Sequence, residues 1–351
     1  MLAVLVATCT TACSSRGRSA DEAAPAARTF ALGFAPTPPV LTVEAVLEGI
    51  DLWSQRAEFA VIHEELPWTD LLAGMTPQQI LERDKTALVA HLRSKGLKLM
   101  FLADLTDGLS RSDEAPQLRA LGRSLAEPAV QQVARAYVLA VDALLAPELL
   151  GLSAETNLVR AAAPAGLYAA VVATANAMAQ DLAAAGSTAT RFISVQVETA
   201  WGLLPPGPFA GIDQDLADFA FVAALGLSSY PYFAFDDPDQ VPDDYYLRLA
   251  LAVRLPVFVS EGGWTSATVG GRPSSPAVQA RWIERHAALL ASVDAFAWFH
   301  LLFADPDLSA WPQPLPPNLP LFTNIGLCDS DFTAKPALAA WDALFARPLA
   351  P

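Results

Sequence analysis

Residues 255–264 read LPVFVSEGGW, a short apolar run followed by a glutamate, two glycines and a tryptophan. The apolar part, residues 256–260, is nearly continuous, which is typical of a parallel strand that is buried on both faces. Short runs of the same kind recur along the chain. The sequence therefore predicts strands at residues 30–34, 59–63, 97–103, 149–154, 192–197, 219–228, 256–260 and 295–300.

Helical patterns separate the predicted strands, most clearly at residues 77–95, 128–146, 164–185 and 276–292. Each of these patterns begins with proline, which suits the first turn of a helix because its missing N–H has no partner there. Eight strand–helix units predict an α/β protein with a (β/α)₈ (TIM) barrel. A doubly wound open sheet is the alternative, but no glycine-rich phosphate loop follows the first strand.

Composition excludes several classes of protein. The chain has 351 residues, of which 53% are apolar and 17% are charged, and its mean hydropathy is +0.32. Disordered chains combine low hydrophobicity with high charge, so the bulk of this chain is expected to fold. No run reaches the roughly 18 uncharged apolar residues that a membrane-spanning helix needs. The net charge of −15 predicts no nucleic-acid partner and disfavours polyanionic substrates, because both need a basic surface.

The N-terminus resembles an export signal. Residues 2–8, LAVLVAT, form a short apolar stretch, and Ala12-Cys13 is similar to the end of a bacterial lipoprotein signal. We predict a signal or lipobox-like segment at 1–13, a flexible Ala/Ser/Pro-rich linker at 14–28 and a single barrel at 29–351. The expected location is periplasmic or at the cell surface, with membrane contact only through a lipid on Cys13. The alternative is a frayed N-terminus without a signal.

Cysteine and histidine usage predicts no metal site and no cofactor. Cys328 is the one cysteine in the body of the chain, so neither a disulfide framework nor a cysteine metal site is expected. The histidines, His63, His91, His286 and His300, show no metal-ligand spacing.

Carboxylates and aromatic residues follow the predicted strands, and active sites of (β/α)₈ barrels lie at these carboxyl ends. The ends carry His63-Glu64-Glu65, Asp104, Glu155 and Asn157, Glu198 and Trp201, Tyr230 and Tyr232, Glu261 and Trp264, and Trp298 and His300. Paired carboxylates suit glycoside hydrolysis, in which one protonates the leaving oxygen and the other attacks or activates water. Aromatic rings stack on sugars. Neither a phosphate site nor a Ser/Cys–His pair for acyl transfer is evident.

Two of these strand ends resemble signatures of the clan A glycoside hydrolases, which are (β/α)₈ barrels. Residues 255–264 look like the clan's strand-7 signature, and this resemblance implies that Glu261 is the nucleophile. Residues 149–157, LLGLSAETN, are similar to the strand-4 signature, which implies that Glu155 is the acid/base.

Two further segments extend the resemblance over residues 30–345. Residues 227–232, LSSYPY, resemble strand 6 of the galactanase-like members, whose matching tyrosine, here Tyr230, commonly hydrogen-bonds the nucleophile. Residues 326–331, GLCDSD, and the KPA at 335–337 resemble the segment that precedes the last helix. The chain looks most like galactanase-like barrel lipoproteins of unassigned specificity.

The sequence departs from the clan in two places. Ala154 stands where an asparagine usually precedes the acid/base and would contact the sugar 2-hydroxyl. The arginine that is common near strand 2 is missing, and residues 63–68, HEELPW, stand there instead. These differences keep open a catalytically silent barrel that binds carbohydrate. Other carboxylate acid/base chemistry, such as isomerisation, would need a metal or a lysine that the predicted rim lacks.

The residues and the resemblance together predict a retaining glycoside hydrolase that acts on a neutral β-linked oligo- or polysaccharide. Retention predicts that the carboxyl groups of Glu155 and Glu261 lie about 5–5.5 Å apart. Ten further residues are expected to bind the carbohydrate: Asn157, Tyr230, Tyr232, Trp264, Trp298, His300, Glu64, Trp68, Glu198 and Trp201. For the glutamates among them the alternative is a solvated surface charge, and for the tryptophans it is simple packing.

Overall fold

Eight parallel strands close into a barrel in the computed structural model, which describes residues 27–350. The strands are β1 (Ala31–Phe34), β2 (Phe59–Glu65), β3 (Lys98–Asp104), β4 (Leu149–Gly151), β5 (Thr190–Gln196), β6 (Ala224–Ser229), β7 (Val257–Gly262) and β8 (Ala297–His300). Each strand pairs with the next along the chain, and β8 pairs with β1. The predicted (β/α)₈ barrel is confirmed, and the alternative of an open sheet is wrong.

At least one helix follows every strand. The helices are α1 (Val43–Trp53), α2 (Trp68–Leu72), α3 (Pro77–Asp84), α4 (Thr86–Ser94), α5 (Pro116–Ala120), α6 (Pro128–Leu145), α7 (Thr156–Ala162), α8 (Ala165–Ala184), α9 (Val197–Ala200), α10 (Asp213–Asp218), α11 (Leu247–Val253), α12 (Pro276–Ala291) and α13 (Pro336–Phe345). Across residues 27–350, no helix combines the length and the apolar composition that crossing a lipid bilayer requires.

The predicted helices match the structure except in one region. Helices α6, α8 and α12 lie within one or two residues of the patterns at 128–146, 164–185 and 276–292. The single helix predicted at 77–95 is instead two helices, α3 and α4. The chain leaves the helical conformation at Lys85 (φ −125°, ψ −39°), whose ammonium group pairs with Glu64 on β2.

Two predicted strands are too long by three residues or more. The strand expected at 219–228 begins only at Ala224, because Phe219 ends α10 and a turn follows it. The strand expected at 149–154 ends at Gly151, where the chain turns towards α7. A short apolar run does not by itself distinguish a strand from a buried turn or helix end, which explains both errors.

Two apolar layers lie on the two faces of the barrel wall. Side chains that alternate along the strands fill the interior, among them Phe59, Met100, Phe192, Phe258 and Phe299, and the others pack against the helices. At Gly151 the interior has no room for a side chain, because a Cβ atom there would lie 2.3 Å from the side chain of Leu102. The apolar interior forms a floor, and the polar residues lie above it at the carboxyl ends of the strands.

Candidate active site

A register shift between β6 and β7 sets the direction of Glu261. Leu227 pairs with Val259, but the next residue, Ser228, pairs with Glu261, so Ser260 is an extra residue in β7. Side chains alternate between the two faces of a strand, and one extra residue reverses the alternation that follows it. The carboxyl group of Glu261 therefore points into the mouth of the barrel.

Glu155 is held by an unusual backbone conformation after β4. Its φ and ψ of 45° and 48° lie in the left-handed region, which costs a non-glycine residue on the order of 1 kcal/mol. Its carbonyl oxygen accepts hydrogen bonds from the N–H groups of Leu158 and Val159 in α7. Its own N–H donates to Ser194 Oγ on β5, at 2.9 Å. These bonds fix Glu155 at the start of α7, with a buried carboxyl group.

The hydroxyl group of Ser228 bridges the two glutamates. Its oxygen lies 2.6 Å from Oε1 of Glu155 and 2.9 Å from Oε1 of Glu261. The two Oε1 atoms are therefore separated by at most about 5.5 Å, which is shorter than the roughly 6.5–9.5 Å between the carboxyl groups of inverting glycosidases.

Two cationic side chains complete the group of residues that we call the glutamate cluster: His63, Asp104, Arg111, Glu155, Ser228 and Glu261. His63 Nδ1 lies 2.9 Å from Oε2 of Glu261, and its Nε2 lies 3.3 Å from Oδ2 of Asp104. Arg111 Nε donates to Oε2 of Glu155 at 2.8 Å, and another nitrogen of Arg111 donates to Asp104. Each cation thus joins Asp104 to one of the two glutamates.

The surroundings of the two glutamates drive their pKa values in opposite directions. Burial raises the pKa of Glu155, and the negative charge of Glu261 adds to this rise against the opposing charge of Arg111. Burial also acts on Glu261, but the positive charges of His63 and Arg111 outweigh it and lower the pKa of this carboxyl group. The cluster therefore favours a protonated Glu155 beside an ionised Glu261.

Four members of the cluster are not among the predicted site residues. His63 and Asp104 stand at predicted strand ends, but only the direction of their side chains distinguishes them from Glu64 and Glu65. Ser228 lies inside the segment that resembles strand 6.

Arg111 comes from the loop after β3, seven residues beyond Asp104, and no sequence pattern points to it. It supplies an arginine to the site although residues 63–68, at the carboxyl end of β2, contain none.

Trp298 and His300 lie away from the cluster. Both point outwards from β8, because the alternating residues Ala297 and Phe299 fill the interior. The ring of Trp298 is buried against Trp341, with centroids 4.8 Å apart, and His300 Nε2 lies 2.7 Å from the carbonyl oxygen of Ile325. This placement corrects the expectation that they contact sugar, since both are fully buried between the barrel and its helices.

Three other tryptophans also have structural contacts. Trp264 is buried 5.2 Å from Trp282, and its Nε1 donates to Ser274. Trp68 is buried at the start of α2. Trp201 is partly exposed, stacks on Tyr245 and donates its Nε1 hydrogen to the carbonyl oxygen of that residue. For the two buried rings, Trp264 and Trp68, the packing alternative describes the observed contacts.

Asn157 lies beside the cluster but faces the backbone. Its amide group donates to the carbonyl oxygen of Gln196 at 2.8 Å and accepts from the N–H of the same residue at 2.7 Å. These bonds tie the start of α7 to the end of β5 and occupy both ends of the amide.

Glu64 and Glu198 do not belong to the glutamate cluster. Glu64 points towards the helices, where it accepts hydrogen bonds from Lys85 and Tyr137. Glu198 is fully buried and accepts from Tyr245 Oη at 2.6 Å and from the N–H of Tyr230 at 3.0 Å. Burial raises the pKa of Glu198 to about 7, so it is not the solvated surface charge of the alternative interpretation.

Tyr230 and Tyr232 lie beside the cluster in a group of aromatic rings. The charges of both glutamates act on Tyr230, although within residues 27–350 its hydroxyl makes no hydrogen bond to Glu261. Tyr232 donates to the carbonyl oxygen of Leu321 at 3.0 Å.

Two partly exposed phenylalanines extend this aromatic group. Phe233 and Phe322 lie 5.9 and 5.0 Å from the ring of Tyr230, and 5.5 Å from each other. They come from the loops that follow β6 and β8. Together with Tyr230 they form an apolar wall, which we call the phenylalanine wall, next to the cluster.

Among the residues that the structure describes, no group of three or more histidine, cysteine, aspartate or glutamate side chains could hold a metal ion. The predicted lipid-bearing Cys13 lies outside the described residues.

Comparison with known proteins shows that the fold is shared with glycoside hydrolases. No family model and no curated protein matches the chain. An exo-β-1,4-mannosidase from Opitutaceae bacterium strain TAV5 is similar in structure, with a TM-score of 0.66 and 17% identity, over 92% of this chain and 60% of the mannosidase. This chain therefore spans less than two thirds of that protein.

For two other solved structures, the match includes a larger share of the solved chain. A GH5_18 protein from Bifidobacterium longum subsp. longum in complex with Manβ1-4GlcNAc has a TM-score of 0.62 and 14% identity, over 92% of this chain and 80% of its own. Xylanase 10B from Thermotoga maritima has a TM-score of 0.58 and 11% identity, over 90% of this chain and 95% of its own. The likeness confirms the barrel that the sequence predicts.

Proposed function

We propose that the protein is a retaining glycoside hydrolase that acts on a neutral β-linked carbohydrate. The observation that carries the proposal is the pair of buried glutamates, Glu155 and Glu261, whose Oε1 atoms flank one hydroxyl group and lie too close together for the attacking water of an inverting mechanism. The fold shared with solved glycoside hydrolases supports it, because their chemistry also belongs at the carboxyl ends of the strands.

The first step would form a glycosyl-enzyme intermediate. An oxygen of Glu261 attacks the anomeric carbon while Glu155 gives its proton to the departing glycosidic oxygen, so the old C–O bond breaks as the new one forms. The raised pKa of Glu155 and the lowered pKa of Glu261 supply the required protonation states.

The second step would release the sugar with its original configuration. Glu155, now ionised, takes a proton from water, and the resulting oxygen attacks the anomeric carbon and displaces Glu261. Both glutamates return to their initial states, because the proton taken from water replaces the one given to the leaving group.

The proposed substrate is neutral and β-linked. The net charge of −15 opposes binding of polyanions. The solved relatives include a β-1,4-mannosidase, a xylanase and a protein that binds Manβ1-4GlcNAc. These names suggest the first sugars to test.

The test is hydrolysis of a panel of 4-nitrophenyl β-glycosides, beginning with the mannoside and the xyloside. We expect wild-type protein to release nitrophenol and the product to keep the β configuration by NMR. In Glu261→Ala the rate should fall by at least about 10³-fold, because the covalent nucleophile is lost. Azide should then restore turnover, and the product should be an α-glycosyl azide. An inverted wild-type product would reject the proposed nucleophile.

A matched control is Glu148→Gln, at the opposite end of the barrel. Glu148 precedes β4 and pairs with Arg93, so its loss should leave hydrolysis unchanged. Circular dichroism would show that all variants fold. Binding of oligosaccharides by wild-type protein with no turnover of any β-glycoside would instead support the catalytically silent barrel.

We also propose that the protein is exported and carries a lipid on Cys13. The motivation is the apolar segment that ends in Ala12-Cys13. Labelled palmitate should be incorporated into the wild-type chain in cells and not into Cys13→Ser. The variant should also be absent from the membrane fraction. Equal labelling of both chains would reject the lipid site.

A further inference from the structure

Ser228 faces two glutamates, and its hydroxyl group has a single proton to donate. A hydroxyl group has one donor and two acceptor lone pairs, whereas an ionised carboxylate only accepts. If Glu155 and Glu261 were both ionised, Ser228 could donate to one of them, and its lone pairs would face the other at 2.6 or 2.9 Å. Both short contacts are satisfied only when one of the two carboxyl groups carries a proton and donates it to Ser228.

The charge balance of the cluster agrees with one shared proton. Asp104 contacts both cations, His63 and Arg111, and these contacts lower its pKa against the effect of burial. With Asp104 ionised and both cations charged, the cluster is neutral when only one of Glu155 and Glu261 is ionised. A second negative charge would be buried without a matching cation, which is costly in the interior.

The remaining contacts assign the proton to Glu155. Oε2 of Glu261 faces the charged imidazole ring of His63, which stabilises the ionised carboxylate. In Glu155, Oε2 accepts from Arg111, and Oε1 is free to carry the proton that points to Ser228. Each ionised or accepting oxygen of the two glutamates then faces a donor, and the protonated oxygen of Glu155 faces an acceptor.

Two other ionisable groups face the pair, and neither changes this assignment. Glu198 and Glu155 oppose each other's ionisation, since the charge of Glu155 adds to burial in raising the pKa of Glu198. Burial and the charge of Glu261 raise the pKa of Tyr230, so this phenol stays neutral.

We infer that Ser228 is a positioning residue that holds the shared proton of the glutamate pair on Glu155 and reverses its own hydrogen bond during the reaction. This inference rests on the proposed function. In the free enzyme Glu155 donates to Ser228, and Ser228 donates to ionised Glu261. When Glu155 has given its proton to the leaving oxygen and Glu261 has become a neutral ester, Ser228 turns its hydroxyl and donates to ionised Glu155. No proton passes through Ser228; only the direction of its hydrogen bond changes.

Removal of the hydroxyl group gives a result whose sign is specific. In Ser228→Ala, the form in which Glu155 is protonated loses two hydrogen bonds. The form in which Glu155 and Glu261 are both ionised loses one hydrogen bond and one repulsive contact. The pKa of Glu155 should therefore fall, by on the order of 1 unit. A serine that simply donated to an ionised Glu155 would stabilise that anion, so its removal would raise the same pKa.

The measurement is an infrared difference titration of the protonated carboxyl band, which needs no substrate. The band of Glu155 is identified by its loss in Glu155→Gln. We expect its midpoint to move to lower pH in Ser228→Ala and to stay in place in Ser228→Thr, which keeps the hydroxyl.

Ser229→Ala is the matched control, because Ser229 is equally buried in β6 but faces Tyr246 Oη at 2.9 Å on the other side of the strand. Its midpoint should equal that of wild-type protein.

The pH profile of kcat/KM on the aryl glycoside that wild-type protein cleaves fastest gives a second readout. Its basic limb should move to lower pH by the same amount in Ser228→Ala and not in Ser229→Ala. A midpoint or limb that is unchanged or moves to higher pH in Ser228→Ala overturns the inference. If wild-type protein cleaves no glycoside, the proposed function fails, and the infrared midpoint still decides the role of Ser228.

Discussion

His63 on β2 and Glu261 on β7 are joined by a contact of 2.9 Å between an imidazole nitrogen and a carboxylate oxygen. Asp104 holds the other ring nitrogen of His63 at 3.3 Å. Burial lowers the pKa of His63, but the charges and hydrogen bonds of Glu261 and Asp104 outweigh it and raise the pKa to about 10. The proposed nucleophile therefore faces an imidazolium ion at neutral pH.

Replacing this imidazolium with a neutral amide should move the acidic limb of the pH profile. His63→Gln keeps a hydrogen-bond donor near Glu261 but removes the positive charge that lowers the pKa of that carboxyl. We expect the acidic limb of kcat/KM to rise by about 1–3 pH units. His91→Gln, on α4, is the control and should keep the wild-type limb. An unchanged limb in His63→Gln would show that the charge of His63 does not act on the reacting carboxylate.

The same histidine should make the fold less stable at alkaline pH. Its pKa is about 10 in the folded protein and near the ordinary 6.5 when unfolded, so the stabilisation is complete below pH 6.5 and is lost as the pH rises through 10. Between these values the free energy of unfolding should fall by about 1.4 kcal/mol per pH unit from this group. Urea denaturation at pH 7 and pH 9 would measure it. His63→Gln should lose less stability than wild-type protein over this interval, and an equal loss would contradict the prediction.

Arg111 should stabilise the fold through two buried carboxylates. Its side chain is 2% exposed and contacts Asp104 and Glu155. Arg111→Gln takes from Asp104 one of its two cationic partners and leaves the cluster with an uncompensated buried negative charge, and breaking a buried ion pair in this way typically costs about 3–5 kcal/mol. Thermal unfolding should therefore show a markedly lower Tm. Asp104→Asn added to Arg111→Gln should recover part of the loss, because the stranded charge is removed; additive losses would show that the two residues are not coupled.

The barrel could be predicted from the sequence because its determinants are local. Eight apolar runs and the prolines that begin the helices specify the order of strands and helices. Eight parallel strands with alternating helices are typical of a closed barrel. The ends of the elements depended on contacts between distant residues. The break at Lys85, for example, accompanies an ion pair with Glu64, and the early end of β4 accompanies the hydrogen bond of Glu155 to Ser194.

The candidate site could be predicted only in part for a related reason. Glu155 and Glu261 stand in recognisable segments, and the structure brings them to one hydroxyl group. Strand alternation, counted from the interior residues Phe59 and Val61, identifies His63 rather than Glu64 as the inward side chain of β2. The extra residue at Ser260 reverses this alternation for Glu261, and no local pattern indicates it.

Arg111 was beyond prediction from sequence, because its position depends on the path of a loop. Trp298 and His300 show the converse error. They lie at the end of a strand, at the predicted rim. Because side chains alternate along β8, both point towards the helices rather than into the barrel.

The phenylalanine wall, rather than Trp298, should contact the substrate. Phe322 is partly exposed beside Tyr230, whereas Trp298 is fully buried among Trp341 and other core rings. Phe322→Ala should raise KM for an oligosaccharide substrate several-fold, since a stacked ring contributes about 0.5–1.5 kcal/mol, and should leave Tm nearly unchanged. Trp298→Phe should show the opposite pattern, with an unchanged KM and a Tm lowered by a cavity. Steady-state kinetics and thermal melts of both variants would check this, and a raised KM in Trp298→Phe alone would restore the tryptophan as the sugar contact.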